Sequence, residues 1–126
     1  MDLVPVPKSG SRKIRDHFWA WAHIEGAYND EWGLGSATSR ITPFEGAAYL
    51  GVPNLIFVRY CDQPVPPFNQ YAVPLRMIDH LEWSITGSDG VTSKSERESV
   101  YNLAAAMPNI SGLMMDDFFN EAGSAA

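Results

Sequence analysis

The sequence predicts an α/β fold, a parallel (βα)3β array. Three observations carry that prediction. Four short β-rich or alternating runs begin near His17, Asn54, His80 and Ile110. Segments with helix-start signals or turn residues lie between them. The strand starts are roughly 26 to 37 residues apart, about the size of a βαβ unit. Alternation of this kind implies parallel strands joined by right-handed crossovers.

Residues 1–16, with Pro5, Pro7, Lys8, Ser9 and Gly10, read as an irregular lead-in to a single domain over 17–126. His17 to Gly26 is the first strand: Phe18, Ala20, Ala22 and Ile24 alternate with Trp19, Trp21, His23 and Glu25. The second set turns polar towards its end, as a strand reaching a site would. Ala27 to Ser39 is rich in Gly, Asn, Asp and Ser and reads as a long loop. Thr42-Pro43-Phe44-Glu45 is a capping box with proline at the first helical position, opening a helix that should stop at Gly51.

Asn54 to Tyr60 is nearly continuous in apolar residues and should be a parallel strand buried on both faces, ending in Arg59 and Tyr60. The proline-rich loop that follows leads into a predicted helix within Phe68 to Asp79, which Pro74 must either begin or break. In His80 to Thr86, Leu81, Trp83 and Ile85 form one face and His80, Glu82, Ser84 and Thr86 the other. Ser93-Lys94-Ser95-Glu96 is a second capping box, and Val100, Leu103, Ala104 and Met107 mark the apolar face of its helix. The last strand, Ile110 to Met115, runs without charge into Asp116 and Asp117.

The chain of 126 residues has room for one core but not two. Nine Lys plus Arg against fifteen Asp plus Glu give a net charge of −6, which argues against nucleic acid or an anionic membrane as a partner. No apolar run approaches the ~20 residues of a membrane span and no signal-like segment opens the chain, so the default location is cytoplasmic. The single cysteine, Cys61, cannot form an internal disulfide or a multi-cysteine metal site.

Two closures suit the array. One is a small open doubly wound sheet; the other is half of a (β/α)8 barrel, which needs about 250 residues when whole. The half-barrel is preferred. Gly26, Gly33 and Gly35 have the wrong spacing for a dinucleotide turn and no P-loop exists, so no cofactor is expected. Half a barrel has two unpaired edges, so self-association or a second half-barrel is expected.

His23-Ile24-Glu25-Gly26, Glu82 and Gly-Leu-Met-Met-Asp-Asp-Phe-Phe together resemble the N-terminal half of TIM-barrel glycoside hydrolases over residues 17–120. The resemblance implies a carbohydrate-active hydrolase, or a fragment of one, acting on a small-molecule or oligosaccharide substrate. Its catalytic carboxylates would be Asp116, Asp117 and Glu82, with His23, Glu25, Arg59, Tyr60 and Trp32 binding substrate. Carboxylates at the carboxyl end of a parallel strand are costly unless they meet water, a cation or hydrogen-bond donors, and that pole is where barrel enzymes work. The plainer reading makes an Asp of this pair a helix cap or a solvated loop carboxylate. Glu82 should pair with Arg59 or, unpaired, serve as a general acid. Trp32 suits stacking on a sugar, whereas Trp19, Trp21 and Trp83 should be core. Competing functions are a metal-dependent sugar isomerase or lyase with His23, Glu25 and Asp116 as ligands, and a non-catalytic sugar-binding or assembly module.

Overall fold

The computed structural model describes residues 13–31, 33 and 38–117. Its elements are β1 (Trp19–Ala22), α1 (Pro43–Leu50), β2 (Asn54–Arg59), β3 (His80–Gly87), α2 (Lys94–Ala106) and β4 (Ile110–Met114). The four strands form one sheet in the order β1-β2-β3-β4, every pair parallel. The order follows the chain, and four parallel strands with two helices make an open α/β sheet.

Helix α1 starts where its capping box predicts. Thr42 Oγ1 accepts from the Glu45 backbone N–H, and the Glu45 carboxylate accepts from the Thr42 N–H at 2.9 Å. It ends at Gly51, whose φ of +64° is open to glycine at little cost. In α2 the Ser93 hydroxyl accepts from the Glu96 N–H, but the Glu96 side chain leaves the predicted box and turns to the sheet.

The helix predicted within 68–79 is not an α-helix. Pro74 opens only a four-residue 3₁₀ turn, Pro74–Met77, because proline lacks an N–H and excludes the preceding turn of helix. Even so Phe68, Ala72 and Leu75 of this segment are fully buried and serve as the crossover's packing face. The first strand is also shorter than the predicted His17–Gly26, since pairing with β2 covers only Trp19 to Ala22.

Strand alternation divides the sheet. Leu55 and Phe57 of β2 and Leu81 and Trp83 of β3 are buried against Ala47 of α1 and Val100, Leu103 and Met107 at α2. Each large apolar side chain buried this way contributes about 1.5–3 kcal/mol. On the other face the cross-strand row Trp21, Ile56, Glu82 and Gly112 lies uncovered. Trp19 and Trp21 are 39% and 48% exposed there, so of the three strand tryptophans assigned to the core only Trp83 is in it. Gly112 sits close under Glu82: a Cβ would meet its carboxylate at 3.0 Å, so the Glu82 side chain would have to shift by a few tenths of an ångström.

Two asparagines tie the amino pole. Asn54 donates both amide hydrogens to the carbonyls of Asp16 and Phe18, and Asn109 donates both to those of Leu75 and Ile78. Each asparagine thus holds the chain leading into the neighbouring strand.

Arg59 has the parity of Leu55 and Phe57 and points to the helix side. There it forms a buried ion pair with Glu96, donates to the carbonyls of Asp62 and Pro64, and stacks over Phe68. Arg59 is therefore a structural cation paired with Glu96, not with Glu82. Glu96→Ala strands that buried guanidinium, and urea unfolding should show a loss of about 3 kcal/mol.

Candidate functional site

The carboxyl ends of the strands meet at a cavity of about 370 Å3 lined by Trp21, His23, Tyr28, Tyr60, Ser88, Asp116 and Asp117. β1 supplies Trp21, and the residue just beyond its end is His23. The turn after β1, with Gly26 at φ +79° and Asp30 at φ +63°, brings Tyr28 back over the same place. Asn29 closes the base of this loop, exchanging two hydrogen bonds of 3.0 and 2.9 Å with the Ser39 backbone.

His23 is fixed at both ring nitrogens. Nδ1 lies 3.0 Å from the Val58 carbonyl, which can only accept, so Nδ1 carries the proton. Nε2 is then the acceptor, receiving the Trp21 indole N–H at 2.9 Å with the Tyr28 hydroxyl 3.3 Å away. Burial lowers the His23 pKa, against the Val58 carbonyl and the Asp116 charge, which raise it. The ring's Nε2 lone pair is thus occupied by Trp21, with Tyr28 beside it.

Tyr28 and Tyr60 continue the aromatic wall, their rings 4.7 Å apart and 4.9 and 5.9 Å from His23. The Tyr60 hydroxyl donates to both Glu31 oxygens, and that bond pushes its pKa up to about 12.

The two carboxylates differ. Asp116 is half-buried; burial, with help from the Asp117 charge, raises its pKa, while a bond to the Asp117 backbone and the nearby His23 act the other way. Asp117 is exposed and turns the chain with φ +47°. Strand β4 has already ended at Met114, so both side chains can border the cavity instead of alternating across the sheet.

His23, Tyr60, Asp116 and Asp117 thus come together. Glu25 does not join them: β1 ends before it, and it accepts from the Tyr71 hydroxyl at 3.4 Å in a separate pocket of about 250 Å3 beside Phe44 and Leu75. Burial, with the charge and hydrogen bond of Glu25, pushes the Tyr71 pKa well up. Arg59 is turned away with Glu96. Glu82 lies mid-strand on the uncovered face beside Gly112 and does not line the cavity. Trp32 lies outside the described residues. Cys61 is exposed, followed by Asp62 in a tight turn where both have positive φ.

Sequence reasoning missed Trp21, Tyr28 and Ser88. Trp21 shares His23's parity on β1, which is the signal that could have found it; Tyr28 and Ser88 sit in turns whose path no periodicity reveals. Among the described residues no group of three His, Cys, Asp or Glu side chains could hold a metal ion. The trio His23, Glu25 and Asp116 is not assembled, because Glu25 leaves in another direction.

No family model matches the chain, and comparison with curated proteins and with solved structures returns no match.

The His23 geometry makes a prediction. Between its lowered folded pKa and the ordinary 6.5, the unfolded chain binds the proton first, so His23 costs stability as pH falls through that window. An NMR titration of the ring should give a midpoint below 6.5, and Trp21→Phe, by removing the donor that favours the neutral ring, should move it upward.

Proposed function

We propose that the chain is carbohydrate-active, of glycosidase type, with its sheet forming half of a (β/α)8 barrel. The observation that carries this reading is the pairing, in one cavity, of a half-buried carboxyl of raised pKa with an aromatic wall of Trp21, Tyr28 and Tyr60. Aromatic faces suit the C–H-rich side of a pyranose, and a carboxyl that retains its proton suits general acid work.

In this mechanism Asp116 gives its proton to the glycosidic oxygen as the anomeric C–O bond breaks. Asp117 faces the developing oxocarbenium charge and takes a proton from the water that adds to the anomeric carbon. His23 and Tyr60 hold hydroxyls. A sugar-binding module without turnover is the second reading, favoured by Glu82 lying outside the cavity, which leaves Asp116 and Asp117 without that opposed acid.

The barrel proposal rests on the sequential parallel order and on the uncovered face. Parallel sheets are ordinarily covered on both sides, yet Trp19 and Trp21 are exposed on this one. Further βα units would cover that face and pair the edges β1 and β4. Light scattering on the isolated chain should show self-association; a compact stable monomer counts against the half-barrel.

Ligand charge follows from the surroundings. Among the described residues, the loops after the strands carry Glu25, Asp30, Glu31, Asp89, Asp116 and Asp117 against Arg40, while Asp62 and Glu96 both pair with Arg59. The field at this pole repels anions. Tryptophan fluorescence titration should therefore show binding of neutral oligosaccharides and at least tenfold weaker binding of uronic-acid chains at low salt. Hydrolysis of neutral aryl glycosides should fall roughly 10²-fold or more in Asp116→Asn with binding retained. Binding without hydrolysis would select the module; neither binding nor hydrolysis across the panel would remove the carbohydrate reading.

A further inference from the structure

The Asp116-Asp117 pair raises a question of role, since adjacent side chains of one type border the same cavity. The answer lies on the neighbouring strand. Thr86 is 1% exposed near the end of β3, and its single hydroxyl engages Asp116 twice: Oγ1 donates to the Asp116 carbonyl at 2.9 Å and accepts from the Asp116 N–H at 2.8 Å. The hydroxyl therefore does what a strand residue's backbone would do, at a place where β4 has already stopped.

Thr86 is itself fixed from behind. Ser84, fully buried, donates from Oγ to the Thr86 carbonyl at 2.8 Å, accepts from the Thr86 N–H at 3.3 Å and lies 3.2 Å from Thr86 Oγ1. The β2–β3 register makes this room: Phe57 pairs with Trp83 but Arg59 pairs with Gly87, so β3 carries extra residues just here. Among the described residues no neighbouring hydroxyl holds Asp117 in this way, and it turns at positive φ.

We propose that Thr86 is a positioning residue that holds Asp116 as the proton-donating carboxylate of the cavity, with Ser84 orienting the Thr86 hydroxyl. The proposal rests on the glycosidase reading for what Asp116 does, though not for where it is held. Clamping both backbone groups of Asp116 limits its φ and ψ and keeps the carboxyl in the half-buried place where His23, Tyr28 and Asp117 are its charged or titratable neighbours. Releasing the clamp lets the carboxyl reach water, which removes the burial that raises its pKa.

The test compares Thr86→Val, which is nearly isosteric but has no hydroxyl, with Thr86→Ser, which keeps it, and with Ser84→Ala. Carbonyl ¹³C NMR follows the Asp116 carboxyl through a pH titration, and neutral aryl glycosides report turnover. In Thr86→Val the Asp116 midpoint should fall towards the ordinary aspartate range, turnover should drop at least tenfold, and KM should change less than twofold because the aromatic wall is untouched. Thr86→Ser should restore both readouts, and Ser84→Ala should fall between. An unchanged Asp116 titration in folded Thr86→Val, or a Thr86→Ser variant as impaired as it, overturns the proposal. If Thr86→Val does not fold, the Ser84→Ala titration decides alone, an unmoved midpoint refuting it. A wild-type chain without turnover would fail the glycosidase reading only, because the NMR arm needs no substrate.

Discussion

The ladder between β2 and β3 is the constraint on which everything else depends. Its paired residues Leu55 and Leu81, then Phe57 and Trp83, place all their bulk on one face, and both helices and the Phe68–Leu75 segment gather there. With the strands in sequential parallel order, that choice of face leaves the opposite side to Trp19, Trp21 and Glu82. Parity then reaches the end of β2. Arg59 continues the row of Leu55 and Phe57 into an apolar setting, where a guanidinium is tolerable only with a carboxylate and several acceptors. Glu96 is that carboxylate, which is why α2 surrenders half its capping box.

The same geometry sets the electrostatics of the cavity. Because Arg59 is consumed by Glu96 and Asp62, the remaining acids of the carboxyl pole have no compensating cation from the described strand ends. Burial in that setting acts on two groups in opposite senses: it keeps His23 neutral and keeps the proton on Asp116 to higher pH. Trp21 and Val58 fix which His23 nitrogen carries hydrogen, so the ring is held in one tautomer with both nitrogens engaged. Hydroxyl groups do comparable work on the other side, where Ser84 and Thr86 replace a ladder that β4 no longer provides.

Local signals were enough for the parts of the fold that local energetics govern. The capping residues Thr42 and Ser93, the αL stop at Gly51, the continuous apolar run of β2 and the period-2 row of β3 place two helices and two strands almost to the residue. They also place Asp116 and Asp117 at a strand end. Pro74 shows the limit: its position announces a helix break, but whether the broken segment still packs depends on the apolar surface above β2 and β3, to which Phe68 and Leu75 contribute from a distance in sequence.

Composition, periodicity and caps by themselves determined a parallel α/β chain with acids at one pole, because those features act within a few residues. Only the tertiary structure decided which polar side chains share a cavity. His23 and Glu25 are two positions apart yet separate because pairing with β2 ends at Ala22; Arg59 meets Glu96 instead of Glu82 because side-chain parity, not nearness in sequence, sets the face. Contacts such as Thr86 with Asp116 span thirty residues, and their formation follows from strand register, which is settled by the packing of the whole sheet.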